Sequence, residues 1–376
     1  MSLSYSIDDR LTKLLKDVDL KAAKRVDLLA AVDLNTREAL ARQARISTIG
    51  ATTRIENAVL TDAQIDWIDT VLTTDGRPTA FSATRRRIEE KISKDRERSL
   101  EEVAGCREML AVVYSQGAEL YPLTQATLRG LHRELLKYHA PAAYHMGRYK
   151  LVPNSVIERD ATTGAERSVL RTSDPGPITE TAVADLLSWY NATIRDHPWP
   201  IAVASELVFR FLACHPFQDG NGRIGRALFT LALLQCGEEN LRQVAPFLAV
   251  DRIIEQSRGE YYTVLARTSG GRFLADASEY DIPLFLGFML GTVDAALDAI
   301  VFYQERVERI RGLSESATSV LQCFKELPEE RLTPRRIHRD TRLPERTISR
   351  ALRTLMDLDL IQRHGRGAGT YYQLVF

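Results

Sequence analysis

Cysteine is scarce and unpaired: Cys106, Cys214, Cys236 and Cys323 are scattered over 376 residues with no CxxC among them. That excludes a disulfide framework and the usual structural zinc spacings. Cys214 and Cys236 stand inside apolar runs, as reduced core thiols do. Net charge is lacking too. Fifty Lys and Arg balance fifty Asp and Glu, so bulk charge argues for no partner and any nucleic-acid surface must be local. Internal repeats, low-complexity tracts and a GxxxxGK[ST] loop are absent, which sets aside solenoids and P-loop nucleotide binding. The opening "MSLSYSIDDRLTKLLKDVDL" has no apolar signal-peptide core. The longest apolar stretch, "IPLFLGFMLGTVDAALDAIVF", carries Asp294 and Asp298, which suits a buried or amphipathic helix better than a membrane span. The expectation is a cytoplasmic protein with no membrane partner. Its length implies more than one domain, and its 44% hydrophobic content is that of a globular chain.

What is present is mostly helical periodicity, giving a mainly α fold class. "RLTKLLKDV", "VDLLAAV" and "LNTREALARQARIS" supply amphipathic faces, and Thr61 with Gln64 makes a capping box before "DAQIDWIDTVL". "RRRIEEKISKDRERSLEEV" mixes charge signs along a solvated helix. Between Gly147 and Pro177, glycines and prolines interrupt β-formers, which predicts a hairpin turning near "ATTG". Helices resume at "ITETAVADLLSWYNATI", with Thr179 as N-cap, and continue to an end near Gly237.

The apolar runs "ELVFRFLAC" and "ALFTLALLQC" flank "HPFQDGNGRIGR", His215 to Arg226. Pro216 ends the first helix at or just before His215. The second is expected to begin near Ile224 or Gly225, so that "DGNG" presents backbone N–H groups at its positive end, an anion cradle. Arg223 and Arg226 add charge on one helical face, and Asp219 could hold Mg²⁺ together with phosphate oxygens. His215 is available as a general base near neutral pH. An EF-hand would need Asp or Asn where Arg223 stands. Taken together these residues point to phosphate chemistry.

The segment resembles the Fic family motif HPFx[DE]GNGRxxR at every defined position. The resemblance implies a helical catalytic core with a β-hairpin flap, over about 46–302, and transfer of AMP from ATP to a Ser, Thr or Tyr hydroxyl of a target protein or of the chain itself. It assigns His215 as base, Asp219 to Mg²⁺ (or Mn²⁺), Gly220, Asn221, Gly222 and Arg223 to the phosphates, Arg226 to the γ-phosphate, and Phe217 to anchoring the loop. Gly222, where a kinase-like branch has lysine, favours nucleotidyl transfer; a phosphocholine-transferring branch shares this motif. "TTRIEN", in a helix about 46–58, resembles the inhibitory pattern [ST]xxxE[GN]; it implies that Glu56 pairs with Arg226, and in some relatives this glutamate supports removal of AMP. In the flap, about 147–177, the resemblance points to Lys150 of "GRYK", Ser155 and Val156. It sets Tyr261 and Tyr262 of "RGEYYTVL" on the adenine side, although both also suit a core helix. A homodimer is expected by the same likeness.

Residues 1–45 read as an N-terminal helical segment, 303–313 as a charged helical connector, and 314–376 as a separate unit of three helices and a terminal hairpin, the winged helix-turn-helix pattern. Arg346, Arg350 and Arg353 share a face of its third helix; Arg335, Arg336 and Arg339 lie on the second, and Arg363 and Arg366 near the wing. That pattern suits DNA or a protein partner. A DNA-binding regulator sensing nucleotide, or removal of AMP as the main activity, are the alternatives to AMP transfer.

Overall fold

The computed structural model describes residues 2–71, 73–74, 77–78, 81, 88, 97–159, 165–326, 331–358, 360–365 and 367–374. Most of the expected charged helix before Glu97, the hairpin turn at "ATTG" and Arg366 lie outside these residues.

Asp8 and Asp33 cap the first two helices, α1 (Asp9–Ala31) and α2 (Leu34–Ile55), each accepting a backbone N–H three residues on. α2 crosses the expected 45/46 boundary without a break, and both helices pack into the main core. The stretch Ile46–Thr53 of α2 is buried on every side. Its small residues, "STIGATT", let neighbouring helices approach closely, and a β-carbon at Gly50 would overlap Asp62 and Arg54. The Thr61–Gln64 capping box forms as expected ahead of α3 (Asp62–Val71). The short strands β1 (Thr73–Thr74) and β2 (Arg77–Pro78) pair antiparallel before α4 (Glu97–Gln116) and α5 (Gln125–Leu136).

The hairpin of β3 (Ser155–Arg159) and β4 (Glu166–Arg171) is antiparallel, with its register shifted between Val156 and Ile157. Thr179 does not cap the next helix, α6 (Pro177–Asn191). Pro177 takes the first position after Gly176, and the Thr179 hydroxyl bonds back to Asp174 O. α7 (Pro200–Cys214) and α8 (Asn221–Gln235) form the centre; on α7 only Arg210 escapes full burial. Helices apolar all round belong at the middle of a domain. Around them lie α9 (Glu239–Val244), α10 (Val250–Gln256) and α11 (Arg258–Ser269).

α12 (Ile282–Arg311) is one helix of 30 residues that takes in 303–311 of the expected connector, with Gly312 as its C-cap. By length and composition it could cross a membrane. Here its first half is buried against the core, and Asp294 and Asp298 ion-pair with Lys21 while Asp298 also takes Arg25. It leads to α13 (Glu315–Glu326), α14 (Pro334–Thr341), α15 (Glu345–Asp357) and the antiparallel pair β5 (Ile361–His364) and β6 (Tyr371–Leu374). These elements close around their own core, which includes Phe324, Leu332, Ile337, Ile348 and Leu355.

Candidate active site

α7 ends at Cys214 because Pro216 cannot continue it, and His215 caps it in the left-handed region, φ 52° and ψ 59°. The next helix begins earlier than expected, at Asn221, with Gly220 as N-cap at φ 79°. Gly222 and Arg223 therefore lie in the first turn, where backbone N–H groups have no intrahelical acceptor and the helix end is positive.

The loop between the two helices is held from within. Asn221 Nδ2 donates to Phe217 O at 2.7 Å, and Phe217 N donates to Asn221 Oδ1 at 2.9 Å. The Asn221 side chain is thus spent on the loop, so what it offers an anion is its backbone N–H. Phe217 is fully buried and stacks on His132, with centroids 4.0 Å apart. His132 Nδ1 accepts from Gly147 N at 2.8 Å. Its Nε2 therefore carries the proton and donates to Asp219 O at 3.1 Å. One imidazole joins the root of the hairpin to the carboxylate-bearing turn. Its sequence context, "RGLHRELL", gave no sign of this role.

His215 is half-buried, and its Nδ1 lies 3.2 Å from Leu212 O. Donation from Nδ1 to that carbonyl leaves Nε2 as the basic nitrogen. Desolvation first, and the neighbouring charge of Lys150 second, push its pKa down to about 4, so the imidazole is neutral. Asp219 is exposed. The protein that packs against about half of its side chain works against the charged form, but Arg223 and the Gly220 N–H hold its carboxyl below the usual range. Arg223 is buried, and its Nε and Nη1 have no hydrogen-bond partner among the described residues.

Arg226 is buried and surrounded by oxygens. Nε donates to Thr52 Oγ1 at 2.8 Å and to Asp251 Oδ1 at 3.1 Å, and Nη2 donates to Thr52 O and to Glu56 Oε1, each at 2.9 Å. Glu56 caps the C-terminus of α2 and lies over Gly222. The expected Glu56–Arg226 pair is therefore formed. Asp251 went unnoticed in the sequence. Its only signal is a lone carboxylate in the apolar run "FLAVDRII", and burial raises its pKa even beside Arg226. Arg54 anchors the same end of α2 through Glu255 and Asp62.

Tyr261 and Tyr262 are buried on α11 and line the same cleft as Glu56, Arg226 and His215, together with Ser155, Val156 and Ile157 of β3. Lys150, at the root of the hairpin, does not line it. It is 1% exposed, and Nζ donates to Asn154 Oδ1, Thr172 Oγ1 and Cys214 O at 2.9–3.0 Å. A lysine alone can satisfy three acceptors converging from both arms of the hairpin and the end of α7, and burial lowers its pKa to about 8.

Among the described residues no cluster of three His, Cys, Asp or Glu makes a cation cage. The lone, ionised carboxylate of Asp219 fits Mg²⁺ bound mainly through phosphate oxygens. The cleft holds about 230 Å³ with Glu56 in place, below the roughly 300 Å³ at which ordinary small-molecule sites begin.

Residues 122–233 match the Fic/DOC family. The chain is similar to the protein adenylyltransferase Fic of Drosophila mojavensis, 30% identical over 104 residues, 26% of this chain and 19% of the fly protein. It is also similar to the Culex quinquefasciatus protein of the same name, 31% identical over 104 residues, 26% of this chain and 19% of that one. It thus spans about a fifth of the length of these relatives. Among solved structures it resembles a Fic family protein from Desulfovibrio desulfuricans G20, with TM-score 0.55 and 21% identity over 100% of this chain and 98% of the other. Fic-1 (residues 134–508) from C. elegans gives TM-score 0.53 and 18% identity over 78% of this chain and 73% of the other. These likenesses show a helical Fic fold.

Proposed function

We propose, for a chain that carries a Fic/DOC family domain, that it transfers AMP from ATP to a Ser, Thr or Tyr hydroxyl of a protein, and that Glu56 holds this activity off. The observation that carries the reading is the convergence of a neutral imidazole, a helix N-terminus and a covered arginine on one cleft. His215 Nε2 takes the proton of the attacking hydroxyl as that oxygen bonds to the α-phosphorus and the bond to the bridging oxygen breaks, releasing pyrophosphate. The first-turn N–H groups of α8 receive phosphate oxygens as their charge develops. Arg226 takes the γ-phosphate once Glu56 has withdrawn, through the Nη2 donor that now meets Glu56 Oε1. Mg²⁺ held by Asp219 would supply charge neutralisation along the phosphate chain. The target segment would pair with the edge of β3, where Ile157 is exposed.

The test incubates wild type, Glu56→Gly and Glu56→Gly/His215→Ala with Mg²⁺ and ATP labelled on the α-phosphate. The expected result is strong labelling by Glu56→Gly, of itself or of lysate proteins, and little by the other two. A folded Glu56→Gly protein that labels nothing overturns the reading. If instead the γ-phosphate alone transfers, the reaction class is wrong.

A further inference from the structure

We propose that the C-terminal unit, residues 314–376, is a docking surface for duplex DNA, with α15 entering the major groove and α14 contacting the flanking phosphates. The charge of this chain is balanced as a whole but not here. Between residues 331 and 366 stand ten arginines and four acidic residues, and no lysine.

Packing decides where those arginines point. α15 buries Ile348, Ala351, Leu352 and Leu355 against the unit's own core. Arg346, Arg350 and Arg353 fall on the opposite side and are exposed. None of the three forms an ion pair with a described acidic side chain. Of the four acidic residues, Asp340 binds Arg336 and Arg339, Glu345 begins α15, Asp357 ends it, and Asp359 lies outside the described residues. The outward stripe of α15 therefore reads Arg346, Ser349, Arg350, Arg353, with carboxylates only at the helix's first and last residues, Glu345 and Asp357.

α14 adds a second cationic surface. Thr333 caps it, and a shallow concavity beside it is lined by Thr333, Arg335, Arg336, His338, Arg339 and Arg342. The wing follows, with Arg363 exposed on β5. Two helices joined by a tight turn, the second with a basic outer face, and a hairpin beside them match the geometry in which one helix reads base edges while its neighbours hold the backbone. The choice of arginine over lysine favours the same partner. A guanidinium can bond O6 and N7 of one guanine at once, which an ammonium cannot.

The experiment uses the full chain and a fluorescein-labelled pool of random 20-bp DNA duplexes, followed by anisotropy from about 50 to about 300 mM NaCl. Log Kd should rise linearly with log salt. The variant Arg346→Ala/Arg350→Ala/Arg353→Ala should bind at least about ten-fold more weakly and show a slope shallower by about one for each phosphate contact removed. Arg346→Lys/Arg350→Lys should keep most of the salt slope while losing any sequence preference that selection from the pool reveals. Melting temperature serves as the check on folding, and Arg335→Ala/Arg342→Ala gives an independent variant on the α14 surface. A folded wild-type chain that binds no duplex at the lowest salt overturns the proposal, as does binding that both alanine variants leave unchanged. Equal affinity for an RNA duplex of the same length, with the same arginine dependence, would also overturn it.

Discussion

Glu56 lies across the bare face of Gly222, so close that a β-carbon at position 222 would overlap its Oε1. The glycine in the motif is thus needed by the glutamate of a helix more than 160 residues earlier in the chain. Gly222→Ala should push the Glu56 carboxylate off Arg226 at a cost of at most about 1 kcal/mol, because the overlapping oxygen is the far end of a flexible side chain. In a Glu56→Gly background the same substitution should cost far less. Unfolding of the two single variants, the double variant and wild type measures the coupling, and strict additivity would count against the contact.

Asp251 and Glu56 share Arg226 but differ in depth. Asp251 has a side chain 3% exposed, against 32% for Glu56. Removing a buried partner leaves a buried charge under-compensated, so Asp251→Asn should cost about 3–5 kcal/mol. Glu56→Gly should cost about 1 kcal/mol and raise AMP labelling. Urea denaturation ranks the two; the reverse order would contradict the assigned roles.

The pH dependence follows from His215. Its pKa is held down at about 4, and the form proposed to act as base is the neutral one. Labelling by Glu56→Gly should therefore stay level through neutral pH and fall only as the pH approaches that value. Lys150 is a positive neighbour that contributes to this depression. Adding Lys150→Met removes the repulsion, so His215 holds its proton more readily and the acid limb moves to higher pH. A limb that stays in place would show that desolvation alone sets the His215 pKa.

Phe217 should matter through packing rather than through chemistry. It is enclosed by His132, Tyr149 and Phe211. Phe217→Ala should cost about 3–5 kcal/mol. Phe217→Leu should restore most of the stability, and thermal unfolding of both variants would show it.

The helices, the hairpin and the polar loop were legible because each rests on local signals: periodicity, capping boxes, prolines and glycines. The start of α8 was placed too late because Gly220 and Gly222 read as breakers. Gly220 is the cap, but Gly222 is helical, and what it provides is space for Glu56. The burial of Lys150 was not legible because its three acceptors come from separate elements that no spacing relates. Asp251 and His132 escaped for the same reason, as did the bonds from Arg226 to Thr52, although Thr52 holds the Ser/Thr position of the [ST]xxxE[GN] pattern. Their roles exist only once distant helices have packed.

The two ends of the Arg226 guanidinium have different fates. Nε is gripped by Thr52 Oγ1 and Asp251, both buried, whereas Nη2 is divided between Thr52 O and the more accessible Glu56. A rotation of the Glu56 side chain alone would uncover one donor while the rest of the guanidinium kept its orientation. Glu56 is only half-buried, and such a rotation needs no helix to move. The proposed resting and working forms of the cleft can therefore share one backbone and differ by a single rotamer.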